Sequence, residues 1–372
     1  MRLPPQINFV THTCRELLYI VTRPSPVSTG NFEYLVSIRT SHPVQAWLRP
    51  NACYTSNAMR RLLLILLLAC ASLRGFPQDF KPTTAEPAHP TYVLASDAHW
   101  LLQPSSGRFD ASALLRLPDG SLLTVNDKEL PPCRIDLGTN SVARLVPQKQ
   151  WFPLDAVRKA SPNPRFAPDT EGLAIDRQGR LYICTEGQRW IFRSGPSDGQ
   201  VERLEIDWSP VQKWFSAKDG NASWEGIAVG GDHLYLANER TTGRIVVVDL
   251  KTLRVIDDFQ VAPSGNTSSD VHYTDLCWFK NELWVLCRDI RKVLRVQPTT
   301  HTVLAEFDFA DAELTPQNAY ITALPYGFVE GLSVDDTHIW LAVDNNGMPR
   351  RAAPTDFRPL LLRCPRPDQK SP

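Results

Sequence analysis

Trp224-Glu225-Gly226-Ile227-Ala228-Val229 runs through Gly230-Gly231-Asp232 into His233-Leu234-Tyr235-Leu236-Ala237-Asn238-Glu239. Two short runs alternating apolar and polar residues across a tight turn are the pattern of a β-hairpin. The same arrangement recurs in Thr170-Glu171-Gly172-Leu173-Ala174-Ile175 leading to Leu181–Glu186, and in Val329-Glu330-Gly331-Leu332-Ser333-Val334 leading to His338–Asp344. Weaker copies are Thr274-Asp275-Leu276-Cys277-Trp278 into Leu283–Asp289, and Ala111–Leu115 into Leu122–Asp127. Anchored at Ser112, Glu171, Glu225, Asp275 and Glu330, the copies are spaced by 59, 54, 50 and 55 residues. Further strand-like runs follow most hairpins, such as Arg244–Asp249 and Arg254–Phe259 after the third. Four antiparallel strands per repeat of this length make the blade of a β-propeller. The expected fold is all-β: five four-stranded blades, with six as the alternative. The last repeat has one clear later strand, Leu360–Arg363, so Tyr92-Val93-Leu94-Ala95 is expected to supply its fourth strand, closing the ring and removing an exposed edge.

Upstream of the repeats, Met59-Arg60-Arg61 precedes the apolar run Leu62–Leu68 and then Ala69-Cys70-Ala71-Ser72. A basic start, a short apolar stretch and small residues read as a secretory signal, too short to span a bilayer. Leu67-Leu68-Ala69-Cys70 resembles a bacterial lipobox, which makes Cys70 a candidate lipidation site, while Ala69-Cys70-Ala71 also suits an ordinary signal peptidase. Either cleavage places the mature chain in the periplasm or cell envelope. Residues 1–58 contain six prolines and only two acids, Glu16 and Glu33, and are expected to be an unstructured, over-called upstream segment. The remaining divisions are a signal at 59–70, a linker at 71–90, the propeller at 91–366 and a tail at 367–372.

The 372 residues carry 40 basic and 40 acidic side chains. After Cys70 the balance is 33 basic to 38 acidic, which argues against nucleic acid as a partner. Of eight cysteines, the five beyond Cys70 form no CxxC pair and are expected to be mostly buried thiols. Gly-x-Ser-x-Gly, HExxH and phosphate-loop motifs are absent.

In a hairpin the start of the first strand and the end of the second share an edge. Glu171, Glu225, Asp275 and Glu330 open first strands, and Asp127, Glu186, Glu239 and Asp344 close second strands. Ring closure should therefore gather these carboxylates at one mouth, where they raise each other's pKa unless a cation compensates. That cation is either a Ca²⁺ ion held by Glu and Asp oxygens with Asn126, Asn238, Asn345 or Asn346 beside them, or the side chains Lys128, Arg189, Arg240 and Arg288. The acids also have a plainer possible role, fixing strand register by bonding the next blade's backbone. A glycine follows each of the three glutamates, as expected for close backbone approach at the axis or for a bulge.

The Glu-Gly-hydrophobic-x-hydrophobic starts, with ends in Thr185-Glu186, Asn238-Glu239-Arg240 and Asp344-Asn345-Asn346, resemble the bacterial phytase-like ("esterase-like activity of phytase") family. The resemblance covers roughly residues 110–350. It implies an exported or lipid-anchored β-propeller with phosphatase or esterase activity, and the long acidic calcium clusters of propeller phytases are not evident. On this reading Glu171, Glu225, Glu330 and Asp344 hold Ca²⁺, which polarises a phosphate or carboxylic ester and activates water. Glu186 or Glu239 acts as general base, and Arg240 and Arg288, with Arg189 and Lys128, bind the anionic group. The competing expectation is a non-catalytic, monomeric envelope propeller that binds a ligand or protein through the same face.

Overall fold

The computed structural model describes residues 18–24, 32–38, 44–48 and, with short gaps, 89–369. The signal-like segment and Cys70 lie outside the described residues. Two compact units are present, Met1–Thr84 and Ala85–Pro372. In the first, β1 (Leu18–Pro24), β2 (Phe32–Ile38) and β3 (Val44–Leu48) form an antiparallel meander. This differs from the expected lack of structure in 1–58. The runs Tyr19-Ile20-Val21-Thr22 and Phe32-Glu33-Tyr34-Leu35-Val36 are β-branched and aromatic, and proline, serine and glycine separate them.

The second unit begins with β4 (Thr91–Val93) and β5 (Ala98–Gln103), followed by β6 (Ala111–Arg116), β7 (Leu122–Asn126), β8 (Cys133–Leu137) and β9 (Val142–Pro147). Next come β10 (Thr170–Ile175), β11 (Leu181–Thr185), β12 (Ile191–Ser194) and β13 (Val201–Arg203), then β14 (Trp224–Gly230), β15 (His233–Asn238), β16 (Arg244–Asp249) and β17 (Arg254–Phe259). The chain continues through β18 (Tyr273–Phe279), β19 (Glu282–Cys287), β20 (Lys292–Gln297) and β21 (Thr302–Asp308), and ends with β22 (Val329–Val334), β23 (His338–Val343) and β24 (Leu360–Pro365). The sheet orders are β10-β11-β12-β13, β14-β15-β16-β17, β18-β19-β20-β21-β4 and β22-β23-β24-β5-β9-β8-β7-β6. In the last, a parallel β5–β9 contact joins two otherwise antiparallel halves.

The strand completing the β22–β24 sheet is β5, not Tyr92–Ala95. Thr91–Val93 instead pairs in parallel with β21. Ala98–Gln103 fits the closing position because Leu102 is fully buried there, Trp100 stacks on Trp340 at 6.0 Å, and Asp97 pairs with Arg363 at 2.9 Å.

No single central core exists. Of five apolar clusters, four fill the space between neighbouring sheets and one the space between the two halves of the eight-stranded sheet. Trp284 and Phe307 pack against Leu332 and Leu341, for example, and Leu123 and Phe152 against Leu173 and Ile183. Inner strand β6 packs on β10 and β22, β10 on β14, β14 on β18, and β18 on β22, so the packing closes on itself. A strand sandwiched between sheets buries both faces, which is why Leu181-Tyr182-Ile183-Cys184-Thr185 is buried throughout despite its alternation. The five described cysteines are free thiols, four buried and Cys277 half-buried.

Candidate functional site

Each inner strand has a register irregularity at the end where the acids sit: between Ala111 and Ala113, Thr170 and Gly172, Trp224 and Ile227, Tyr273 and Asp275, and Val329 and Gly331. A bulge adds a residue to one strand and re-aims its side chain. The residues skipped are Ser112, Glu171, Glu225 with Gly226, Thr274 and Glu330. Both expectations for the glycines hold. Gly172 and Gly331 flank their bulges and Gly226 lies within its own, and a Cβ on Gly172 would lie 2.7 Å from Ile227 Cγ2, one on Gly226 2.6 Å from Asp275 Cα, and one on Gly331 2.8 Å from the Ala113 carbonyl carbon.

The register also corrects the fourth repeat. Thr274, not Asp275, matches the glutamates. Asp275 lies one residue further along and is buried, where its carboxylate accepts N–H bonds from Leu276 at 2.8 Å, Leu332 at 2.7 Å and Leu114 at 3.3 Å. It ties three inner strands together at the axis, the plainer role foreseen for the acids. Burial pushes its carboxyl well above the usual range, while the three N–H groups oppose that shift. Asp275→Ala would leave the Leu114 and Leu332 amides without their acceptor. A loss of about 2–4 kcal/mol is expected in urea unfolding, and an unchanged midpoint would refute this role.

The second-strand ends are gripped by the next repeat. Thr170 N donates to Asp127 O at 2.9 Å, Ser223 Oγ to Glu186 O at 2.5 Å, and Tyr273 N to Glu239 O at 3.1 Å. These bonds bring acids of successive sheets together. Asp169, Glu171 and Glu186 each offer an oxygen within 4.8 Å of the others, as do Glu186, Glu225 and Glu239.

The mouth is electrostatically lopsided. On one side Glu239, wholly buried, is bonded to Arg240 and, at 2.8 Å, to Arg288. Arg288 also bonds Glu330 and lies over the Tyr326 ring at 5.6 Å, while Arg240 reaches Asp219 at 3.2 Å. Glu239, expected as a general base, is thus ion-paired with two arginines, and Glu330, expected as a metal ligand, with Arg288, while Glu239 also shares the second carboxylate triad with Glu186 and Glu225. Arg189 is turned aside, with its guanidinium 4.2 Å from the Phe215 ring centre and bonded to Ala222 O at 2.8 Å.

On the other side carboxylates outnumber cations. Burial and the Glu186, Asp127 and Asp169 charges push Glu171 well above its usual pKa. Glu186 is raised to about 7, chiefly by burial and then by Asp169, with the Arg240 charge and a hydrogen bond to Glu225 pulling the other way. Glu225 is raised by burial and the Glu171 charge, against Arg288. Asp344 is raised to about 7 by burial and by Asp110 and Asp127, against Arg108; it belongs to neither carboxylate triad, although Asp127 bears on Glu171 as well. Lys128 sits over this half, 2.6 Å from Asp127 and 3.4 Å from Asp169. The asparagines shape loops: Asn345 Nδ2 donates to the Met348 and Phe357 carbonyls, and Asn126 Oδ1 accepts from Asp110 N. Sequence reading missed Asp169, Asp110, Arg108 and Asp219, which lie in loops outside the repeat.

Sheets packed in a closed cycle around an axis, with a carboxylate-lined mouth at one end, define a β-propeller. The chain belongs to the phytase-like family described as esterase-like activity of phytase, which it matches over residues 105–347. Among solved structures it is similar to glutaminyl cyclase of Myxococcus xanthus, at 16% identity over 74% of this chain and 97% of that one, with a TM-score of 0.47. It is also similar to virginiamycin B lyase of Staphylococcus aureus, at 12% identity over 68% and 65% of the two chains, TM-score 0.36. The RRP9 WD40 repeats are similar at 11% identity over 72% and 66%, TM-score 0.36. No curated protein sequence matches the chain.

Proposed function

We propose that the carboxylate-rich half of the mouth binds Ca²⁺ and hydrolyses a phosphate or carboxylic ester there, on a ring read as five blades. The observation that carries this reading is the Asp169, Glu171 and Glu186 triad, whose oxygens lie within 4.8 Å of one another while Glu171 and Glu186 are buried. The donor set fits the ion: it is all carboxylate oxygen, the choice of a hard divalent cation, and burial first, then the neighbouring carboxylate charges, raises the Glu171 and Glu186 pKa values. A bound Ca²⁺ would supply Lewis acidity toward an ester oxygen and acidify water.

The remaining chemistry falls to this chain's own residues. Glu225, hydrogen-bonded to Glu186 and raised above its usual range by burial and the Glu171 charge, would serve as the proton donor to a leaving oxygen. Glu186, first expected as a base, becomes a ligand in this reading, and Glu225, first expected as a ligand, becomes an acid. Of the four expected anion binders, Lys128 suits the task, being largely exposed beside the triad. Arg240 and Arg288 already hold buried carboxylates.

The test measures turnover of an aryl phosphate and an aryl ester, with melting temperature, in Ca²⁺ and in EDTA. Calcium-dependent turnover with a raised melting point is expected. Calcium stabilisation without turnover would favour a ligand-binding propeller, and no calcium response would overturn the ion site.

A further inference from the structure

Below the mouth the axis is shut. The Asp275 carboxylate draws the Leu114, Leu276 and Leu332 amides together, and Gly172, Gly226 and Gly331 allow neighbouring strands to approach too closely for a side chain. Beyond that plug, toward the hairpin turns, the axis opens again into a cavity of about 270 Å³, lined by all five inner strands and the segments that follow them. Its lining is mixed: Leu115, Leu117, Ile175, Val229, Trp278 and Phe279 supply apolar surface, Ser333 is polar, and the charged lining residues are Arg116 and Asp335.

These two charges are unequally occupied. Asp335 already accepts from Thr337 N at 2.8 Å, His338 N at 2.9 Å and Trp340 Nε1 at 2.8 Å. The Arg116 side chain is 38% exposed, and its ion-pair contact with Asp335 is a long 3.5 Å, so its guanidinium keeps donors to spare. An apolar cavity of roughly 150 Å³ accommodates benzene, so this larger one has room for a ring with a short arm. Arginine's planar fork matches a carboxylate.

We propose that this blind cavity is a second ligand site, independent of the mouth, for a small carboxylic acid with an aromatic or branched apolar body. The body packs against the Trp278 side of the wall and the carboxylate meets Arg116. Separation by the Asp275 plug means that occupancy of one end leaves the other chemically untouched.

The probe is 3-phenylpropanoate, titrated calorimetrically into the full chain alongside 3-phenylpropanamide. Saturable 1:1 binding of the acid is expected, about tenfold tighter than the amide, one charge-assisted pair being worth that much. Arg116→Gln should bring acid and amide level. Leu115→Trp and Ile175→Trp, both at half-buried wall positions, should each fill the cavity and abolish binding, with near-UV circular dichroism reporting the fold. Absence of saturable binding to the wild type would overturn the site, as would binding that survives either filling variant in folded protein. Equal affinity of acid and amide for the wild type would overturn the role of Arg116. The wild-type comparison decides the matter even where a filled variant does not fold.

Discussion

Glu186→Gln is expected to weaken calcium binding by roughly 100-fold or more, the scale on which disrupting even the outer shell of a metal site begins to tell, and at the same time to stabilise the ion-free protein. Glu186 is the one residue shared by the two carboxylate triads. Its folded pKa of about 7 stands above the ordinary 4.5, with burial the main cause. A carboxyl raised on folding binds more protons in the native state. Stability is therefore highest below the unfolded pKa and falls as pH rises through the folded one. Asp344 acts in the same direction, raised from 3.8 to about 7. The ion-free protein should thus lose stability between about pH 4 and 7, calcium should erase much of that loss, and binding below pH 7 should release protons. Melting curves across this range, with and without calcium, check the prediction. A melting point that stays flat or rises from pH 4.5 to 7 without calcium would refute the uncompensated triad. Glu306 and Asp335, both held down at about 2, belong to a separate acid limb below this window.

The second large effect belongs to Gly226→Ala. The added methyl would meet backbone on the neighbouring inner strand: Asp275 Cα at 2.6 Å, its carbonyl carbon at 2.7 Å and Leu276 N at 2.8 Å. Backbone at the axis cannot rotate away as a flexible side chain can, so β14 and β18 must separate. That motion disturbs Asp275, whose carboxylate ties three strands. Overpacking of this kind costs about 1–3 kcal/mol, and more where the surroundings are rigid. A loss of at least about 3 kcal/mol in urea unfolding is expected on that basis. Gly231→Ala serves as the comparison: nothing lies within 4 Å of its added methyl, and its positive φ of 62° makes the backbone itself the source of strain. That change should cost only about 1 kcal/mol. Equal effects at the two positions would remove the axial packing argument.

Much of the fold was legible because a hairpin is written locally. The alternation in Ile227–Val229 and Leu234–Ala237, a turn between them and recurrence at about one blade length fixed strand order and the shared edge of the acids. The closing strand was misplaced from Ala98–Gln103 to Tyr92–Ala95. Both segments are short and apolar, and only the fit of Trp100 on Trp340 and the pairing of Asp97 with Arg363 separate them. Asp275 was grouped with the glutamates because a one-residue bulge offset is invisible in spacing. Its role depends on amides from three strands far apart in sequence.

Sequence alone determined that acids would collect at one end of the hairpins, since strand antiparallelism and repeat position require it. Tertiary structure decided which acids remain charged against one another. Arg288 occupies the second-strand position that holds Asp127, Glu186, Glu239 and Asp344 in the other repeats, and that substitution neutralises half the mouth through Glu239 and Glu330. Loop acids such as Asp169 complete the other half. Carboxylate chemistry is set by partners within a few ångströms. Here those partners come from different repeats and long loops, brought together only when the ring closes.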